Sequence, residues 1–313
     1  MTTFFTTLDR MAFLLALILI GYVLVKIKVI DVDAATTLSR LENWLFLPAL
    51  VMGTFLEQFT VERLTVAWQP FVAGGAVLAV TVPLAILGAH LCGKDAYIRR
   101  IFTYGLSFAN FGFMGNAVVN ALFSDYFADY LIFTLPFWIL IQLWGVPALL
   151  ISGDGEGRSL GKSLRALLNP MMIGMVIGMV LGLSGLPMPG FFSSLVSDVG
   201  ACMSPVAMIL TGITVAKIDL RKTLTDLRIY AVTALRLVAF PLLAIAVLMF
   251  LPLPKAIELC TVCALAMPLG LNTVVVPSAY GRDTTAAAGM ALISHVLSCI
   301  TIPCIFLLLE MLL

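Results

Sequence analysis

Long apolar segments are the feature that most constrains how this chain can fold. A bilayer core of about 30 Å is crossed by roughly 20 apolar residues in a helix, and the sequence contains ten segments near this length. Only 11% of the 313 residues are charged, against about 25% in a soluble domain. The sequence therefore predicts an all-α integral membrane protein with ten transmembrane helices. The predicted spans are residues 11–29, 41–56, 67–91, 101–122, 130–151, 167–184, 195–216, 227–252, 257–280 and 285–309.

Basic residues are concentrated in alternate connections between these spans. Fourteen of the 18 Lys and Arg residues fall in the first, third, fifth, seventh and ninth connections. Because Lys and Arg in short loops remain cytoplasmic, this pattern predicts a multi-pass protein of the cell (plasma) membrane with both termini outside. The apolar run 11–25 is not followed by a small-residue cleavage site, so we interpret it as an uncleaved helix rather than a signal peptide.

A polar stretch divides the chain into two halves. We predict a first five-helix repeat at 1–151, a cytoplasmic linker at 152–166 and a second, inverted five-helix repeat at 167–313. An odd number of spans in each half makes the two halves enter the membrane from opposite sides. Pro83 and Pro241 are 158 positions apart, as are Gly112 and Gly270. These matches favour an internal duplication.

Spans four and nine contain clustered helix-breaking residues near their middles. Proline and glycine weaken helices, and unwound backbone at membrane depth is tolerated where it lines a cavity. Paired interruptions in corresponding halves indicate a transporter binding site, although a purely packing role is the alternative. The second part of each broken helix would begin near the midplane, where two helix N-termini would stabilise an anion.

Two ionisable residues, Arg236 and His295, are predicted to lie at the midplane, where such residues are functional candidates. The alternatives are a contact from Arg236 to backbone carbonyls and a neutral, hydrogen-bonded core histidine. No Asp or Glu is expected well inside a span, since Glu42, Asp198 and Glu258 all fall near helix starts, and this disfavours a proton relay. The candidate substrate-binding residues are Asn110, Gly112, Gly115, Asn116, Arg236, Pro268, Gly270, Asn272, Thr273 and His295.

Other chemistry has little support in the sequence. The 18 basic and 17 acidic residues nearly balance, which argues against a nucleic-acid partner. The spacing of Cys260 and Cys263 suits a redox or zinc site, but the pair lies in an apolar span without a second motif, so we interpret it as packing. Enzymatic motifs are not found. We expect no enzyme activity, no catalytic residue, no cofactor and no metal site.

Several motifs resemble the auxin efflux carrier family, which includes the plant PIN exporters and bacterial permeases for malate, malonate or similar acids. The resemblance rests on the ten-span plan, Asn169-Pro170, Ser204-Pro205 and the stretch MPLGLNTVVVPSAYG at 267–281. It covers essentially the whole chain, without the long central cytoplasmic insert of many plant members. The resemblance implies a bile-acid-symporter/NhaA-like fold in which broken helices four and nine cross at the site.

The match to the plant pattern is incomplete at both breaks. Asn110, Met114 and Gly115 match in span four, but the plant proline position is Ala117. In span nine Pro268 and Gly270 match, whereas the later plant proline falls at Thr273. These departures favour a small organic anion over the indole acid of the plant proteins.

The resulting hypothesis is a secondary transporter, a permease or efflux carrier that moves a small organic anion such as a carboxylate by alternating access. Two alternatives remain open: a Na⁺-coupled organic-anion symporter, and a non-transporting membrane receptor or regulatory subunit. The expected partners are the organic anion and the lipid bilayer, with a homodimer left open.

Overall fold

The structure is a computed structural model that describes residues 2–61, 65–151, 170–216, 225–279 and 282–312. Every regular element within these ranges is a helix. Within the same ranges, extended backbone pairs at one antiparallel bridge, between Ala109 and Leu269. The predicted linker 152–166, the motif residue Asn169 and the end of the 267–281 motif lie outside the described residues.

Within the described ranges the helices follow one another with short connections. One long helix, α2, runs through Ala34–Leu41, a π-turn at Glu42–Phe46 and Leu47–Gln58 without a break. A second π-turn, Phe111–Gly115, leads directly into a short helix. The described helices are α1 (Thr2–Lys26), α2 (34–58), α3 (Trp68–Cys92), α4 (Ala96–Ser107), α5 (Asn116–Leu122), α6 (Ser124–Ile151), α7 (Pro170–Ser184), α8 (Gly190–Val215), α9 (Leu227–Leu248), α10 (Lys255–Ala266), α11 (Asn272–Ala279) and α12 (Thr285–Leu312).

Many of these helices suit a membrane. Among the described residues, α3, α6, α8, α9 and α12 are each long and apolar enough to cross a bilayer. Shorter apolar helices occur at Ala12–Lys26 and Pro170–Ser184. Large apolar side chains also face outward: Leu91 is 78%, Phe191 80% and Phe250 85% exposed. Extensive outward-facing apolar surface marks contact with a membrane or a partner, and together with the apolar helices it indicates a multi-pass membrane protein.

Helix packing separates two groups of helices. Helices α1, α2, α7 and α8 pack mainly on one another, with α7 along α2 and α1 along α8. The other group includes α3, α4, α6, α9, α10 and α12. Contacts between α1 and α12 join the groups.

The α2–α7 contact depends on glycine. A Cβ added to Gly174 would lie 2.7 Å from the carbonyl oxygen of Pro48, and one added to Gly178 would lie 2.5 Å from that of Met52. Residues four apart lie on one face of a helix, and small residues there let membrane helices approach closely. The glycine spacing in α7 therefore explains why its backbone lies directly against α2.

Two π-turns precede prolines, and each contains a buried charged residue. In α2 the turn Glu42–Phe46 comes just before Pro48, and in α9 the turn Leu235–Ala239 comes just before Pro241. Proline lacks an N–H donor and clashes with the preceding turn, and a π-turn is one way that a helix accommodates the missing bond. Arg236 lies in the second of these turns.

The position of Glu42 corrects one expectation. Helix α2 begins at Ala34 rather than near residue 41, so Glu42 lies about 12 Å along the helix and is 0% exposed. The structure therefore buries a carboxyl group that the sequence analysis placed near the start of a helix. The segment 34–41 has polar side chains, so the sequence does not indicate that it belongs to the same helix as the apolar run after it.

Both predicted mid-span interruptions are present. Helix α4 ends at Ser107, and regular structure resumes at the π-turn Phe111–Gly115 before α5. Helix α10 ends at Ala266, and α11 begins at Asn272. The interruptions occur where Asn110 and Gly112, and Pro268 and Gly270, cluster in the sequence.

Candidate functional site

The two interruptions contact each other through their backbones. Ala109 and Leu269 form the antiparallel bridge, and the Asn110 N–H donates to the Pro268 carbonyl over 2.7 Å. The Leu269 N–H donates to the Ser294 hydroxyl of α12 over 3.2 Å. Since unpaired backbone groups are costly away from water, these bonds stabilise non-helical backbone in the interior.

A small cavity lies at this contact, with a volume of about 20 Å³. Four of the predicted site residues line it: Asn110, Gly112, Gly270 and Asn272. A space of this size holds about one water molecule. The cavity in this structure is therefore too small for an organic acid.

Both resumed helices begin at this cavity. Phe111 and Gly112 open the first resumed helix, Asn272 opens α11, and all three line the cavity. The first N–H groups of a helix have no carbonyl partner within it, and the helix dipole adds partial positive charge there. The cavity consequently combines the electrostatic features that favour a bound anion.

Arg236 lies at the C-terminal ends of α4 and α10, just before the two interruptions, and it does not line the cavity. Its side chain is 0% exposed and donates to three carbonyls: Nη1 to Leu106 (2.9 Å), Nη2 to Ala264 (2.6 Å) and Nε to Met267 (3.3 Å). These carbonyls belong to the C-terminal ends of α4 and α10, where a cation complements the dipole. In this conformation Arg236 joins the two helix ends rather than facing the cavity.

His295 forms a hydrogen bond with the side chain of Asn110. Its Nε2 lies 2.9 Å from the Asn110 Nδ2, and its Nδ1 lies 2.7 Å from the Ala291 carbonyl oxygen. A carbonyl oxygen only accepts, so Nδ1 carries the proton and Nε2 accepts from the Asn110 amide. His295 is thus a neutral, hydrogen-bonded histidine that orients Asn110.

The remaining predicted residues stabilise the turns around the cavity or lie beside them. The Thr273 hydroxyl donates to the Gly270 carbonyl over 2.8 Å. A Cβ on Gly115 would collide with the hydroxyl of Tyr130, which itself donates to the Phe111 carbonyl over 3.2 Å. Asn116 is buried, and its Oδ1 has no hydrogen-bond partner among the described residues.

Sequence reasoning missed the aromatic side chains of this cavity. Tyr104, Phe108 and Trp138 line it, and the Tyr104 hydroxyl accepts from the Asn272 Nδ2 over 3.0 Å. Tyr104 and Phe108 are four residues apart, so they share one helical face just before the interruption. This spacing is a sequence signal that could have identified both residues. Trp138 comes from α6 and has no such local signal.

Comparison with known proteins extends this description to the whole chain. A family model described as membrane transport protein matches residues 6–160 and again residues 158–306. No curated protein matches the chain. The two matches follow one another along the chain and together include both interrupted segments.

Proposed function

The chain belongs to the membrane transport protein family, which is the auxin efflux carrier family, and on this premise we propose that it moves a small organic anion, such as a carboxylate, by alternating access. The observation that carries the proposal is the meeting of two helix starts at one interior cavity. Membership in a transporter family supports transport rather than catalysis as its activity.

We propose that the N–H groups at the two helix starts bind the substrate carboxylate. Hydrogen bonds from N–H donors to an ionised oxygen are roughly twice as strong as neutral ones, and the side-chain amides of Asn110 and Asn272 lie at the same place. Tyr104, Phe108 and Trp138 would contact the organic part of the substrate. This division of roles is usual in ligand sites, where apolar walls surround a few orienting polar groups.

Substrate binding requires the cavity to enlarge, because about 20 Å³ does not accommodate an organic acid. The separate packing of α1, α2, α7 and α8 supports a movement of the remaining helices past this group. An elevator-like or rocking motion of that kind would expose the two helix starts to each side in turn. Arg236 would hold the ends of α4 and α10 together during the movement.

The proposal includes the topology inferred from the sequence. The chain would cross the plasma membrane ten times as two inverted five-helix repeats, 1–151 and 167–313, joined by a cytoplasmic linker at 152–166, with both termini outside. The consecutive family matches support a two-part organisation. Interior-negative potential would favour export of an anion by about 2.3 kcal/mol per charge per 100 mV.

Flux measurements in proteoliposomes test the proposal. Labelled monocarboxylates, dicarboxylates and indole acids are offered to the full chain with and without Na⁺. Asn110→Ala should abolish flux of the acid that the wild type carries, whereas Asn43→Ala, a change at an exposed asparagine of α2, should leave it intact. Undiminished flux in Asn110→Ala would refute this binding site.

Absence of flux for every acid in the wild type would contradict transport of an organic anion, and sodium-independent uptake would exclude the Na⁺ symporter.

A further inference from the structure

Glu42 is a fully enclosed carboxyl group. It begins the π-turn of α2 and is 0% exposed, while its neighbours Leu41 and Asn43 are exposed. Neither carboxyl oxygen has a hydrogen-bond partner within the part of the chain that the structure describes. Burying an unpaired carboxylate costs far more than burying the neutral acid. Glu42 is therefore protonated in this conformation.

The described residues of the helices around the turn place no buried charge against Glu42. The π-turn packs against α7 and against α8 on both sides of Cys202. Helix α7 contains no titratable side chain, and α8 contains Asp198 and Cys202, which are both exposed. Within α2 the other charged residues are Arg40 and Glu57, and these are exposed too. Among the described residues, none of these groups forms an ion pair with Glu42.

Access to Glu42 depends on how α2 packs. Helix α7 approaches α2 so closely that a Cβ on Gly174 would lie 2.7 Å from the Pro48 carbonyl oxygen, less than two turns from Glu42. The Leu47 N–H bonds to the Glu42 carbonyl in the wider π-turn pattern, and such turns recur at functional sites. Water can solvate the carboxyl group only when α2 separates from α7 or α8.

We propose that Glu42 is a proton-binding site that couples transport to pH. The carboxylate takes a proton from water as α2, α7 and α8 close around it, and the carboxylic acid returns that proton to water when these helices part. A ligand that binds only one of two conformations shifts the equilibrium toward that conformation. Acidic pH therefore favours the closed conformation. The coupling to transport rests on the proposed function, whereas the protonation of Glu42 does not.

Infrared spectroscopy tests the protonation directly. Spectra of the purified full chain at neutral pH are compared for the wild type, Glu42→Gln and the matched control Glu57→Gln, which changes the exposed acid of the same helix. We expect the carbonyl stretch of a buried carboxylic acid in the wild type and in Glu57→Gln, and its loss in Glu42→Gln. If Glu42→Gln removes a carboxylate band instead, the residue is ionised and the proposal is overturned.

Flux at several pH values tests the coupling, in a range where the carried acid remains ionised. One proton-binding site changes its occupancy by at most about tenfold per pH unit. The flux of the wild type and of Glu57→Gln should therefore change by at most about tenfold per pH unit, while the flux of Glu42→Gln should not change with pH.

A wild-type pH response in Glu42→Gln would overturn the coupling, and a Na⁺ response that disappears only in Glu42→Gln would assign a cation site instead. A wild type that carries no organic acid contradicts the transport function, and the infrared result then decides the protonation alone.

Discussion

The Arg236 guanidinium donates a hydrogen bond to the Leu106 carbonyl over 2.9 Å, across 130 positions of sequence. Its other nitrogens bond to Ala264 and Met267, so one buried cation joins the ends of two interrupted helices. The negative ends of α4 and α10 are thereby neutralised on one side of the break, while the positive ends of the resumed helices face the cavity on the other.

Arg236→Met should destabilise the fold strongly. The substitution leaves three buried carbonyls without their donor, and each unsatisfied group costs about 1–3 kcal/mol, so the loss is about 3 kcal/mol or more. Thermal unfolding of the purified protein measures it. Arg40→Met, at an exposed arginine of α2, should change the unfolding temperature little. Equal stability of the two variants would show that the carbonyl contacts do not hold the interrupted helices together.

Gly115→Ala should be destabilising because of one specific contact. The new Cβ would collide with the Tyr130 hydroxyl, and overpacking of this kind costs about 1–3 kcal/mol. Tyr130→Phe removes the hydroxyl, so the double variant should recover part of the loss in a double-mutant cycle.

Gly75→Ala is the control for that cycle, because no neighbouring side chain or packed helix lies within 4 Å of a Cβ at this partly exposed helical position. It should be neutral or slightly stabilising. Additive effects of Gly115→Ala and Tyr130→Phe would contradict the predicted collision.

Asn272→Ala should weaken substrate binding through two losses. The substitution removes an amide that lines the cavity and the hydrogen bond from Nδ2 to the Tyr104 hydroxyl. Loss of the proposed hydrogen bond from this amide to the carboxylate costs about 1 kcal/mol or more, so the concentration of acid that gives half-maximal flux should rise by about fivefold or more. Tyr104→Phe removes the hydrogen bond alone and should have a smaller effect. An unchanged half-maximal concentration in Asn272→Ala would remove this residue from the site.

Stability below neutral pH should depend on the start of α9. The Asp226 carboxylate accepts from the Arg228 N–H and its guanidinium, and this contact holds the pKa of Asp226 below its usual value. A carboxyl group whose pKa is lowered in the folded state stabilises the fold at pH values above its usual pKa. That stabilisation is lost as the pH falls through the lowered pKa.

Asp226→Asn keeps an N-cap but removes the charge, so its stability should fall less than that of the wild type as pH drops below about 4. The difference should be about 1 kcal/mol or less, because the pair is partly exposed. Asp31→Asn, at an exposed aspartate, is the control and should follow the wild type. Parallel pH curves for the wild type and Asp226→Asn would contradict the contact.

The interruptions could be predicted from the sequence because their causes are local. Gly112 and Gly270 weaken helices wherever they occur, and Pro268 removes a donor from any helix. A contact from Arg236 to backbone carbonyls is one of the alternatives that the sequence leaves open, but the particular carbonyls could not be predicted, since they lie 28 to 130 positions away. The burial of Glu42 was missed for a different reason: the polar residues of 34–41 suggest a loop, and the packing of α2 against α7 and α8 that buries this side chain cannot be read from the sequence.

A thermal-shift screen of the wild type and of Asn110→Ala tests the central claim most directly. The panel contains dicarboxylates, monocarboxylates and indole acids, each with and without Na⁺. A ligand present at 100 times its dissociation constant stabilises the fold by about 2.7 kcal/mol. We predict that at least one small carboxylate raises the unfolding temperature of the wild type and has no effect on Asn110→Ala. An equal shift in both proteins, or no shift with any acid, would contradict an anion site at the meeting of the two interrupted helices.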